Sequence, residues 1–133
     1  MIIRYNDMMK GRDFFQMIIP IFRIFDVEKA NRFYLDFLGF TLDWVHQDED
    51  NMPLYYQITL NDTIIHLSEH HGDASPGSSI RMKVENLEDF HSSISKKNYH
   101  YAKPGLERSP WNTIEMTIID PFFNKITFYE NNE

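Results

Sequence analysis

No cysteine occurs among the 133 residues. Disulfides and thiolate metal sites are thereby excluded, and a reducing cytoplasm is the expected setting. Long apolar runs are missing too. Stretches such as MIIPIF (17–22) fall far short of the ~20 residues that a membrane-spanning helix needs. The opening MIIRYNDMMKGRDFFQ carries charges throughout and lacks an apolar segment ending in a small-residue cleavage site, so no secretory signal is expected there. Glycine is scarce, with five residues, and neither G-x-G-x-x-G nor G-x-S-x-G occurs. A phosphate-cradling loop and a strained nucleophile turn are therefore not supported. Basic residues are in deficit, 13 Lys and Arg against 20 Asp and Glu, for a net charge of −7. Such a field repels nucleic acid and favours cationic ligands.

Hydrophobic content is 42%, with 15% aromatics, enough for a packed core in a chain of this length. Residues 1–16 show no clear period and read as an N-terminal extension or an extra short helix; 17–133 read as one domain. MIIPIFRIF (17–25) predicts a buried strand. Asp26 then stands as N-cap to VEKANRFYLDFLG, where Ala30, Phe33, Tyr34, Phe37 and Leu38 share one helical face and Gly39 closes the helix. Three strands follow: FTLDWVHQ (40–47), PLYYQITL (53–60) and TIIHLSEH (63–70), the last two joined by an Asn61–Asp62 hairpin turn.

After the loop GDASPGSS the order recurs. IRMKV (80–84) is a strand, ENLEDFHSSISKKN a helix capped by Asn86 with a basic end suited to its dipole, and YHYAK (99–103) a strand. PGLERSP connects it to the strands TIEMTIID and KITFYE, which PFFN joins. Asp26-Val27-Glu28 and Asn86-Leu87-Glu88 open the two helices alike. A strand–helix–strand–strand–strand unit used twice, at about 17–72 and 79–130, has connections mostly too short for parallel crossovers. The expected class is α+β: curved, mixed or antiparallel sheets, each with a helix on one face. The opposite faces enclose a cleft of the kind that takes small ligands.

IPIFRIFDVEKANRFYLDFLGFTLDW, LYYQITLNDTIIHLSEHHGD and SPWNTIEMTIIDPFFNKITFYE resemble the glyoxalase/bleomycin-resistance superfamily, the vicinal oxygen chelate proteins. The likeness is to its bleomycin-resistance-protein-like branch and runs from about Met17 to Glu130. It implies paired βαβββ modules in a homodimer. One departure stands out. The branch usually carries glycine before the asparagine of the "DP" turn, where this chain has Phe123, for which positive φ is uncomfortable.

IIHLSEHHGD (64–73) concentrates three histidines and two carboxylates, the usual ligands of zinc and related metals. Alternation along a strand puts His66, Ser68 and His70 on one face and Leu67, Glu69 and His71 on the other. His66 and His70 stand roughly 13 Å apart at 3.3 Å per residue, too far for one ion. His70, His71 and Asp73 read as solvated groups at a strand end, with Glu69 capping or pairing nearby. In metal-using members of the family four strands each give a ligand; those positions fall here near Ile19, at His66, near Met82 and at Thr127. Only His66 is a good donor, so no metal and no cofactor is expected. Were one bound, His66 and Glu69 would be its first recruits.

Ligand-lining candidates are His66, Trp44, Trp111, Tyr56, Phe40, Arg81 and Glu115. His66 is as readily a bonded core histidine. Trp44 and Trp111 offer flat aromatic walls but equally suit a dimer contact. Tyr55 and Tyr56 alternate, so one faces inward, and parity does not say which. Phe40 is at least as suited to plain core, and Glu115 and Asp43 are carboxylates that a cationic ligand would seek. The resemblance implies a non-catalytic protein that sequesters a small organic, bleomycin-like antibiotic in a homodimer, with neither nucleic acid nor membrane as partner. The alternative is a metal-dependent lyase or dioxygenase of the same superfamily with relocated ligands.

Overall fold

The computed structural model describes residue 14 and residues 16–100 and 102–132; the expected extension at 1–16 lies almost wholly outside them. The first module comprises β1 (Ile21–Arg23), helix α1 (Val27–Asn31) continued by a π-helical stretch (Arg32–Phe37), β2 (Thr41–Gln47), β3 (Leu54–Leu60) and β4 (Thr63–Ser68). The second comprises β5 (Ser79–Lys83), α2 (Leu87–Ser95), β6 (Glu107–Arg108), β7 (Thr113–Ile119) and β8 (Lys125–Asn131). Two four-stranded sheets result, ordered β1-β4-β3-β2 and β5-β8-β7-β6. In each, the strand before the helix pairs parallel with the last strand of its module, and the remaining pairings are antiparallel. This is the α+β arrangement that the sequence predicts.

The first helix forms where its pattern says. Asp26 accepts a hydrogen bond from the Lys29 amide at 3.0 Å, and Gly39 leaves the helix at φ +91°. The widening to π geometry, with the Leu38 amide on the Phe33 carbonyl, was not legible in the spacing. Ala30, Phe33, Tyr34, Phe37 and Leu38 are all buried. They join Ile58 and Ile65 of the first sheet and Leu87, Met116 and Phe128 of the second module in a shared core.

Several expectations are corrected. The strand expected over 17–25 keeps only three residues, and Ile18 is 93% exposed. Pro20 has no amide to donate, and its carbonyl takes the first bond, from the His66 amide. Asn86 stands at the N-cap position of α2, but its side chain makes no capping hydrogen bond. It sits at φ +57°, and Glu130 accepts the Asn86 and Leu87 amides in its place, at 2.8 and 3.2 Å. YHYAK is no strand at its described residues; Tyr99 stacks on Phe37 at 4.7 Å, and the edge strand is Glu107–Arg108. Lys97 does not serve the dipole of its own helix. Its ammonium donates to the Asp36 and Phe37 carbonyls at 3.0 Å each, closing the end of the first helix instead.

The modules are joined through a buried carboxylate. Asp120 Oδ1 accepts the Phe122 and Asn124 amides at 2.8 Å, while Oδ2 accepts the Tyr34 hydroxyl at 2.7 Å and Asn124 Nδ2 at 2.9 Å. Asn124 Nδ2 also donates to the Arg23 carbonyl at 2.9 Å, which ties the β7–β8 turn to β1. Burial pushes the Asp120 carboxyl up despite these donors, and burial also raises the Tyr34 phenol. The turn keeps its positive φ even with Phe123 at that position: φ is +69° and the ring is 78% exposed. The left-handed conformation costs a non-glycine residue about 1–2 kcal/mol.

Two substitutions check this account. Tyr34→Phe strands one lone pair of a buried carboxylate and is expected to lower unfolding free energy by about 1–3 kcal/mol in urea denaturation. Phe123→Gly relieves the turn and gives up little buried surface. It is expected to stabilise by about 0.5–1 kcal/mol, a melting temperature rise of roughly 3 °C.

Candidate functional site

Each sheet has one face under its helix and one open face, and the candidate residues divide between them. On the first sheet, register places His66 opposite Gln57 and Ile21, and Tyr55 opposite Ser68 and His46. A bulge between Leu42 and Trp44 interrupts the β2–β3 pairing. Strict alternation would send Asp43 and Trp44 to opposite faces; the extra residue lets Asp43 reach Gln57 and Thr59 on the face where Trp44 meets Tyr55 and His66. Trp44 stacks on Tyr55, centroids 6.1 Å apart and planes at 14°, and meets His66 edge-on at 5.3 Å.

One directed chain of hydrogen bonds runs across that face. The Tyr55 hydroxyl lies 2.7 Å from His66 Nδ1, His66 Nε2 lies 2.9 Å from Gln57 Oε1, and Gln57 Nε2 donates to Asp43 Oδ2 at 2.9 Å. Thr59 Oγ1 donates to the same carboxylate oxygen. Gln57 spends its NH2 on Asp43, so its carbonyl end accepts from His66 Nε2–H, and Nδ1 accepts from Tyr55. The neutral tautomer is thus assigned by the network. Burial lowers the His66 pKa, in keeping with the neutral ring, and raises that of Tyr55. Hydrogen bonds from Thr59 and Gln57 lower that of Asp43, whose Oδ1 receives no hydrogen bond among the described residues.

The second open face carries Arg81, Glu115, Trp111, Thr127 and Tyr129. Arg81 grips Glu115 with two bonds, of 3.2 and 2.9 Å, and lies over the Tyr129 ring at 4.6 Å. Glu115 Oε2 also accepts Trp111 Nε1–H at 3.0 Å and Thr113 Oγ1 at 2.6 Å. These donors, Arg81 foremost, hold the Glu115 carboxyl down to about 2. A cleft of about 250 Å³ lies beside Trp111, Glu115 and Thr117.

His66 and Trp44 thus come together with Tyr55, Gln57 and Asp43, and Trp111, Arg81 and Glu115 come together on the other sheet. Tyr56 and Phe40 do not reach either face. Tyr56 is 1% exposed, with its hydroxyl on Asn31 at 2.8 Å, and Phe40 packs in the core. The parity left open by the sequence resolves as Tyr55 outward to the cleft side, Tyr56 inward. Glu115 lines the cleft beside Trp111, engaged by four bonds from Arg81, Trp111 and Thr113. The bulge and the Gln57 bridge left no signal in the sequence.

The donor set does not fit the divalent metal that the superfamily implies. Opposite His66 in register stands Ile21, not Ile19, and Met82 packs against the core, leaving the cation Arg81 on the open face. Both ring nitrogens of His66 are engaged, and Thr127 shares a 3.1 Å hydroxyl contact with Thr117. Glu69 points away, accepting the Leu54 amide at 3.0 Å. Asp73 takes the Ser68 hydroxyl at 2.6 Å, and among the described residues no three His, Asp or Glu side chains converge. No helix of the described residues is long and apolar enough to cross a membrane.

Glu115 supplies a pH test. Its carboxylate is favoured by the fold, so its contribution is present above the ordinary glutamate range and fades as pH falls from about 4.5 towards about 2. The Trp111 indole N–H resonance is expected to titrate with a midpoint near 2, and in Arg81→Met at higher pH.

A family model described as glyoxalase superfamily protein matches residues 5–133. Bleomycin resistance proteins of Geobacillus stearothermophilus and Staphylococcus aureus are 26% identical over 130 residues, covering 84% of this chain and 94% of theirs. A crystal structure of a bleomycin-binding protein complexed with bleomycin is similar at TM-score 0.68 and 15% identity, over 88% of this chain and 99% of that one. A glyoxalase family protein of Bacillus anthracis matches at TM-score 0.68 and 18% identity, over 90% and 98%. These structural likenesses show the fold. With nearly its whole length matched, its repeated βαβββ modules and its sheet order, the chain belongs to the glyoxalase superfamily.

Proposed function

We propose that the protein binds and sequesters a flat, cationic organic ligand of the bleomycin kind, without chemistry, in a cleft completed by a second copy of the chain. One observation carries this reading: two tryptophans stand in water on open sheet faces, Trp44 43% and Trp111 64% exposed, each fixed by neighbours. Large rings kept exposed and oriented make stacking walls for heteroaromatic or cationic groups. Asp43 Oδ1, beside Trp44, is the acceptor left for a cation. The relatives named as bleomycin resistance proteins support the choice of ligand class.

The two-copy cleft is supported by what one chain leaves uncovered. β2 is exposed along its length, and Trp44 and Trp111 stand exposed on the open faces. Pairing the open face of one copy with that of another would bring an Asp43–Trp44 half-site against a Trp111 half-site. Sequestration then works by mass action: protein in excess lowers the free ligand. The rival lyase or dioxygenase reading needs ligands that converge, and the donor set around His66 does not supply them.

Titration with metal-free bleomycin, followed by tryptophan fluorescence, tests the reading. Saturable quenching is expected, with Asp43→Asn weakening binding about tenfold, roughly 1.4 kcal/mol. Trp44→Ala is expected to weaken it further. No binding of bleomycin or of a panel of flat cationic compounds would overturn the reading. A sedimentation mass of a single chain would overturn the two-copy cleft.

A further inference from the structure

A second pocket, of about 490 Å³, opens between helix α1 and the β7–β8 turn, and no residue of either open-face cluster lines it. Phe33, 1% exposed, forms its floor. Tyr99 makes one wall, held by its stacking on Phe37. Ile119, 53% exposed, and Phe123 make the other, so apolar surface is presented to solvent on two sides. A volume of several hundred Å³ with mostly apolar walls suits a small organic molecule.

The charges at its rim are of one kind. Lys29 and Arg32 line the pocket from neighbouring positions on the helix surface. Lys29 makes no ion pair among the described residues, and Arg32 touches Glu28 only at 3.5 Å between exposed groups, a contact worth little. The one acid in the lining, Asp120, has both oxygens occupied by four donors and offers an incoming group no free acceptor. An anionic head therefore meets two cations, and a cationic head meets no available carboxylate in the lining.

Phe123 adds an independent observation. A bulky side chain is held at φ +69°, where glycine would sit without strain, and its ring is spent on the wall of this pocket instead of on the core. Backbone strain that persists in this way concentrates where a side chain is used.

We propose that this pocket is a second ligand site, separate from the open faces, for an aromatic monocarboxylate. The ring lies among Phe33, Tyr99, Ile119 and Phe123, and the carboxylate meets Lys29 and Arg32.

Calorimetry of the full chain with 2-naphthoate, and with neutral 2-naphthamide as its isostere, tests the site. One naphthoate per chain is expected, with the amide at least fivefold weaker. The double variant Lys29→Gln/Arg32→Gln is expected to lose the same factor; both side chains are exposed, and an unchanged melting temperature checks its fold. Phe123→Gly is expected to melt higher yet bind naphthoate more weakly, an opposition that general destabilisation does not produce. Trp44→Ala is expected to bind naphthoate as the parent does. The proposal is overturned if acid and amide bind equally, if the double variant or Phe123→Gly binds as the parent does, or if Trp44→Ala abolishes binding.

Discussion

The Asp120 carboxylate is the point on which the two halves of the molecule depend. Its four donors come from the first module's helix through Tyr34, from its own turn through two amides, and from Asn124, which also holds the carbonyl of Arg23. A buried carboxylate is tolerable only when its lone pairs are met, and meeting these fixes a helix, a turn and a strand end at once. Lys97 on the end of the first helix works in the same direction. Together they hold the modules by their helix sides and turns, so the opposite sheet faces are left open.

The same economy of polar groups explains what those faces can recognise. His66, Gln57 and Tyr55 satisfy one another on the first sheet and Arg81 and Glu115 on the second, which pins the rings of Trp44 and Trp111 without bringing together the several ligands that a metal ion needs. In the proposed binding function, recognition falls to aromatic area and to Asp43 Oδ1, which the network leaves unbonded among the described residues. A pre-ordered wall of this kind loses little side-chain entropy on binding. Clustered acid and imidazole in a sequence therefore says little about metal until their partners are known.

The sequence carried the architecture because helix caps, 3.6-residue spacing and short connections are local signals. Asp26, the Ala30–Leu38 face and the Asn61–Asp62 turn all acted within a few residues of themselves. What it hid was long-range. Glu130 accepting the first amides of α2 in place of the Asn86 side chain, and Lys97 closing the other helix, depend on residues brought close only by folding. Tyr55 and Tyr56 could not be told apart because strand parity needs a register, and the bulge at Asp43–Trp44 breaks the alternation on which such reasoning rests. The site was legible as a set of residue types, with His66, Trp44, Trp111, Arg81 and Glu115 all on open faces; its internal bonding, which decides what each can do, was not.

The account stands most directly on the state of His66. Nitrogen-15 NMR of its ring, recorded at neutral pH as zinc is added, reads both nitrogens at once. The account expects a neutral ring protonated at Nε2 whose signals stay in place through one equivalent of zinc. Stoichiometric displacement of either nitrogen signal by the metal would contradict it.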